Sequence, residues 1–149
     1  MLIARAVVIR RGRVLLGRGE DEDFWTLPGG HIEPGEMSGQ ALLREVAEEL
    51  GVADARLGRL LWVVENHFVY RGERHHEVGF YYLVELPAGA LSICGGEFTG
   101  PEAGVCFRWF ALSEIAGFDI RPRFLSTGLG ALPDQLEHLW IDDIEAGTA

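Results

Sequence analysis

The sequence predicts a single soluble domain of the α/β or α+β sandwich type, in which several strands combine with a few helices. Three observations point there. Aliphatic and β-branched runs are punctuated by glycine and proline turns, as strands in a layered fold are. One segment, 39–50, carries a helical apolar stripe with its own start and stop signals. The length of 149 residues suffices for one real core and falls short of two ordinary domains.

Taken in order, "LIARAVVI" and "RVLLG" joined across Arg11-Gly12 predict a β-hairpin. "FWTL" predicts a short strand stopped by Pro28-Gly29-Gly30, where glycine permits positive φ and close backbone approach to a ligand. In the following segment, Ser38 can cap a helix start, Leu43, Val46 and Leu50 recur at offsets of three and seven, and Gly51 suits the left-handed position after the last turn. This predicts a helix from about Gly39 to Leu50. "LGRLLWVVENHFVY" and "HHEVGFYYLVEL" flank Arg71-Gly72-Glu73-Arg74 and predict the two long strands of a hairpin. Glycine-rich "PAGALSICGGEFTGPEAG" predicts a loop bordering a site. "VCFRWFAL" follows as a strand, Pro122 opens a short helix through about Leu132, and "LEHLWI" closes the chain as a last strand.

Composition narrows the function. A formal charge of -10 argues against stable nucleic-acid binding, which depends on Lys and Arg displacing counterions, so a phosphate-bearing ligand here needs help from a cation. No apolar run approaches the roughly 20 residues of a membrane span, and the N-terminus lacks the pattern of a signal peptide, so the expectation is a cytoplasmic protein with no membrane partner. Cys94 and Cys106 have neither zinc-site nor disulfide-framework spacing and are read as free thiols. Oligomeric state is open, a homodimer included.

The chemistry sits in "GGHIEPGEMSGQALLREVAEELGV", Gly29 to Val52. Glu45, Glu48 and Glu49 fall in the last turns of the helix, where the peptide dipoles oppose negative charge by a few tenths to about 1 kcal/mol each. At 100° per residue Glu48 lies about 60° to one side of Glu45 and Glu49 about 40° to the other, so the three share one face. None has a basic residue four positions later, and only Arg44, four before Glu48, is an obvious neighbour. A solvated acidic face is the ordinary meaning of such a cluster. Here the mutual repulsion, the opposing dipole and the adjacent glycine carbonyls favour a hard divalent cation, and Mg²⁺ typically leaves sites for water and substrate phosphate. Such a cation suits hydrolysis at phosphorus, with a neighbouring carboxylate to accept the proton of water.

The same residues resemble the Nudix box of the MutT-like Nudix hydrolases, G-x5-E-x7-R-E-U-x-E-E-x-G-U with U bulky and aliphatic. Gly30, Glu36, Arg44, Glu45, Val46, Glu48, Glu49, Gly51 and Val52 fill its specified positions. The resemblance implies an α/β/α sandwich around a central mixed β-sheet. It also implies a Mg²⁺- or Mn²⁺-dependent pyrophosphohydrolase cleaving a diphosphate linkage in a nucleoside diphosphate derivative or triphosphate. By the same resemblance Glu45, Glu48 and Glu49 are metal ligands joined by the carbonyl of Gly29, with Glu45 or a loop carboxylate as candidate base. Glu36 and Arg44 would order the loop and helix by charge pairing.

Outside the box, Glu77, Glu97 and Glu102 are candidates for a further ligand or base, each with a solvated surface role as the alternative. Phe24, Trp25, Trp62, Phe68, Tyr70 and Trp109 could stack on a base, although most strand aromatics are core and only one or two are expected to touch ligand. Arg5, Arg74, His75 and His76 could meet phosphate but are read as solvated. Two competing readings are a catalytically silent Nudix domain that senses a nucleotide metabolite, against which the intact box argues, and isopentenyl diphosphate isomerase chemistry, whose cysteine context is not matched by Cys94 or Cys106.

Overall fold

The computed structural model describes residues 1–92 and 95–144. Its centre is a five-stranded mixed sheet. Strand β1 (Leu2–Val7) lies between β4 (Gly29–His31), antiparallel to it, and β6 (Glu73–Glu85), parallel to it. β6 pairs antiparallel with β5 (Arg56–Tyr70), and β9 (Glu137–Asp142) completes the edge parallel to β5, giving the order β4-β1-β6-β5-β9. A smaller antiparallel sheet contains β2 (Ile9–Arg10), β3 (Arg13–Gly19), β8 (Val105–Ala111) and β7 (Phe98–Thr99) in the order β2-β3-β8-β7.

Two apolar layers hold the five-stranded sheet. Helix α1 (Ser38–Leu50) presents Leu42, Val46 and Leu50 to Ala4, Ala6 and Val84, all buried, with Leu42 in the place expected of Leu43, which is only half-buried. Period-two alternation sends the intervening side chains to the opposite face. There Val7, Trp62 and Tyr81 pack against Trp25 and Phe110, against Ile115 of a short 3₁₀ turn and against Leu125 of α2 (Leu125–Gly128). An α/β fold with helices on both sides of a mixed sheet is therefore present, with the second helical layer reduced to short segments.

Several local expectations need correction. The hairpin across Arg11-Gly12 joins only β2 and β3, with both turn residues at positive φ. β1 leaves for the other sheet, where its mostly apolar run is buried between two neighbours. Trp25 and Thr26 make only isolated bridges, and the strand falls instead on Gly29–His31. Strand pairing there depends on missing side chains, since a Cβ on Gly29 would sit 2.0 Å from the Ala4 carbonyl oxygen. Ser38 does not cap α1. The helix begins at Ser38 itself, Gln40 reaches back to the Met37 N–H at 2.9 Å, and the Ser38 hydroxyl hydrogen bonds to that of Tyr82 at 2.7 Å.

The end of α1 follows expectation, with Gly51 left-handed at φ 72° and donating to Ala47. The long hairpin also forms, with a two-residue turn at Arg71 and Gly72 that leaves Glu73 and Arg74 in strand. Pro122 precedes a helix of four residues rather than one reaching Leu132. Cys106 is a free thiol, while Cys94 lies outside the described residues.

Candidate metal and substrate site

Arg44 organises the box. Its Nε and one terminal nitrogen fork onto both oxygens of Glu36 at 2.8 and 2.9 Å, and the same terminal nitrogen donates to the His31 carbonyl at 3.1 Å. The other terminal nitrogen donates to Glu45 at 3.0 Å and Glu48 at 3.2 Å. Planar guanidinium geometry thus ties the loop before α1 to two of the three box carboxylates. The Arg44 hydrogen bonds, followed by one from the Glu33 N–H, hold the Glu36 carboxyl down to about 2, and the same pairing pushes Arg44 above its ordinary range.

Glycines bring the carboxylates against backbone. A Cβ on Gly30 would lie within 2.6 to 2.8 Å of the Glu45 carboxyl atoms, so that carboxylate occupies the space a side chain would take. Glu49 accepts a backbone hydrogen bond from Gly29. Burial is the largest influence on Glu49 and pushes its carboxyl up to about 7. Arg5 and the Gly29 hydrogen bond oppose that rise, while the negative charges of Glu45 and Glu102 add to it.

The donor set fits a hard divalent cation. Of three carboxylates on one helix face, Glu45 and Glu49 adjoin the Gly29–Gly30 backbone, and Glu49, crowded by Glu45, has no salt-bridge partner among the described residues. In the metal-free arrangement no three acidic, His or Cys side chains among the described residues are already gathered at ligand spacing, because Arg44 holds Glu45 and Glu48. Occupancy would require the carboxylates to turn from that guanidinium.

The three carboxylates outside the box separate. Glu102 belongs with α1: its charge acts on Glu49, and its loop packs so tightly that a Cβ on Gly100 would lie 1.9 Å from the Glu49 carbonyl oxygen. Glu97 instead pairs with Arg18 at 3.4 Å. Glu77 lines a hollow of about 250 Å³ on the face of the sheet opposite α1, and burial there raises its carboxyl against the opposing effects of Arg5, His31 and His75.

That hollow begins where the cover of the second apolar layer ends. Phe24, Phe68 and Tyr70 form aromatic walls, so three of the six candidate aromatics reach it, while Trp25, Trp62 and Trp109 are core. The Phe68 ring stacks on His75 at 5.2 Å and 15°, Arg121 lies 4.3 Å over Phe24, and the Tyr70 hydroxyl donates to Glu22. Asn66 is a contribution that sequence reasoning missed, and Arg5 and His75, expected to be solvated, also line the hollow. Their available signal was a polar residue interrupting an otherwise apolar strand. Arg5 links the two regions, since its charge acts on Glu49 and on Glu77, and His31 also lines the hollow.

Comparison with known proteins finds relatives in sequence and in fold. Human diphosphoinositol polyphosphate phosphohydrolase 2 is 41% identical over 70 residues, covering 47% of this chain and 36% of that protein. The chain thus spans about a third of such a relative's length. The RNA pyrophosphohydrolase of Wolbachia pipientis is 28% identical over 143 residues, covering 93% of this chain and 73% of that protein. A Nudix hydrolase structure from Nitrosomonas europaea superposes with a TM-score of 0.67 at 21% identity, over 87% of this chain and 85% of that one, which is a likeness of fold. With the NUDIX domain model matching residues 2–126, the region that contains α1, its glycine approach and the hollow, the chain belongs to the NUDIX domain family.

Proposed function

We propose that this domain is a pyrophosphohydrolase that uses Mg²⁺ or Mn²⁺ to hydrolyse a phosphoanhydride in a nucleoside diphosphate derivative or a nucleoside triphosphate. The observation that carries this is the placement of Glu45, Glu48 and Glu49 on one face of α1, with Glu45 and Glu49 against the Gly29–Gly30 backbone, beside a separate aromatic hollow. Glu45, Glu48, Glu49 and the Gly29 carbonyl would hold the ion. When bound it neutralises the polyphosphate and activates water for attack at phosphorus.

The chain's own groups supply the remainder. Arg44, fixed by Glu36, positions Glu45 and Glu48. Arg5, between the carboxylates and the hollow, can accept a phosphate oxygen's negative charge. Glu45 or Glu102 would take the proton from water. The aromatic hollow would take the group beyond the phosphates, and a pyrophosphohydrolase and a phosphohydrolase among the similar proteins support hydrolysis at phosphorus. No helix among the described residues is long and apolar enough to cross a membrane, and a cytoplasmic location with a small-molecule substrate is part of the proposal.

The test is hydrolysis of a panel of nucleoside triphosphates, nucleotide sugars, ADP-ribose and dinucleoside polyphosphates with and without Mg²⁺, products identified in ¹⁸O-labelled water. Metal-dependent cleavage lost in Glu48→Gln and Glu49→Gln is expected. Full activity in those variants with metal binding unchanged would overturn the assignment of the site.

A further inference from the structure

Asn66 is the one buried polar side chain in the described core, 1% exposed, and neither its Nδ2 nor its Oδ1 meets a protein partner among the described residues. It lies on the floor of the hollow, directly opposite Glu77 in the β5–β6 register and one alternation from Phe68. A buried amide with a donor and an acceptor both unmet is costly to keep, and the position would be filled more cheaply by leucine if it served only packing. From this amide and its aromatic surroundings we infer that Asn66 reads the edge of the substrate's nucleobase, donating one hydrogen bond and accepting another from a heterocycle lying among Phe24, Phe68 and Tyr70.

The inference rests on the proposed hydrolase assignment for its catalytic readout and deepens it by assigning the group beyond the phosphates. A planar base meets what the hollow offers. Its faces suit aromatic walls, and adenine, guanine, cytosine and uracil each present adjacent donor and acceptor atoms that an amide can match, as asparagine does with adenine in nucleic-acid recognition. A polyphosphorylated polyol fits poorly. It would need several cations, whereas of the two arginines lining the hollow Arg5 serves the phosphates already assigned and Arg121 forks onto Asp119 at 3.2 and 3.0 Å.

The experiment compares kcat/KM and calorimetric binding for ATP, GTP, CTP and UTP, and for purine riboside and pyrimidin-2-one riboside triphosphates, which keep the ring and lack the exocyclic group at the edge being read. The wild type is expected to favour at least one natural base over its bare ring by about 10- to 100-fold, the loss expected when one hydrogen-bonding partner is removed from a desolvated pair. Asn66→Leu should erase that preference by bringing kcat/KM for the natural base down to that of its bare ring, and leave the ligand-free melting temperature unchanged or higher, because it removes an unpaired buried amide.

Equal treatment of natural and bare rings by the wild-type protein would overturn the inference without any variant being needed, and so would an Asn66→Leu protein that keeps the preference. Metal-dependent hydrolysis without base preference would leave the hydrolase assignment standing and remove this one. Base-selective binding lost in Asn66→Leu, with no hydrolysis of any compound, would do the reverse.

Discussion

Glu49→Gln is the substitution in which stability and function separate most sharply. The change keeps the shape of the side chain and an oxygen for the Gly29 hydrogen bond while removing the charge that burial disfavours. A carboxyl raised from its ordinary 4.5 to about 7 contributes stability that is complete below about pH 4.5 and lost as pH rises through about 7. Linkage over that window gives a loss of about 0.8 kcal/mol at pH 5 and about 3 kcal/mol at pH 8, the latter a ceiling because the site opens to solvent on one side. At about 2–4 °C per kcal/mol for a chain of this size, the metal-free variant should melt roughly 4–10 °C above wild type at pH 8 and within about 3 °C of it at pH 5. Differential scanning calorimetry in EDTA at both pH values measures this. Saturating Mg²⁺ should then raise the wild-type melting temperature by more than that of the variant, since a ligand at about 100 times its Kd adds about 2.7 kcal/mol. A variant that is no more stable than wild type at pH 8 without metal, or that gains as much from Mg²⁺, would refute the argument that uncompensated charge on this helix end is what the cation relieves.

Two further substitutions probe the scaffold of the same site. Arg44→Lys retains a charge but cannot fork onto Glu36 while also reaching Glu45, Glu48 and the His31 carbonyl, so thermal melts should show a loss of about 1–2 kcal/mol and activity should fall with it. Gly30→Ala would push a methyl group into the Glu45 carboxylate, a movable side-chain end, and is expected to keep the fold while abolishing the Mg²⁺-induced rise in melting temperature. Its neighbour provides the contrast: Gly29→Ala meets the Ala4 backbone from a residue at φ 146°, and should destabilise by about 3 kcal/mol or more in the same melts.

The division between what the sequence revealed and what it concealed follows the range of the interactions involved. Helix α1 was legible because its stripe, its terminal Gly51 and the Arg44–Glu48 pair are encoded within 13 residues. Helix geometry places Glu45, Glu48 and Glu49 on one face, where Arg44 bridges the first two. Strand β4 was hidden because Gly29 and Gly30 have turn propensity, and only the approach of their β1 partners Arg5 and Ala4, distant in sequence, turns their missing side chains into a requirement for pairing. The separation of β1 from its apparent hairpin was hidden for the same reason, since strand partnership is decided by the parallel neighbour β6.

The substrate hollow was the least legible part, although each of its polar members was visible. Arg5 interrupts an apolar strand, Glu77 another and Asn66 a third, and each in isolation is most simply a solvated position. Register changes that meaning. Asn66 opposes Glu77, Arg5 opposes Tyr81, and strand alternation places Arg5, Tyr81, Glu77 and Asn66 on one face, the face turned away from α1. Arg5 and Glu77 are half-buried and Asn66 is buried, so polar residues that interrupt separate strands arrive together in one hollow. On the proposed assignment selectivity would be carried by residues distant in sequence from the helix proposed to hold the chemistry, so substitutions at Asn66 should alter which molecule is cleaved while substitutions on α1 alter whether any is.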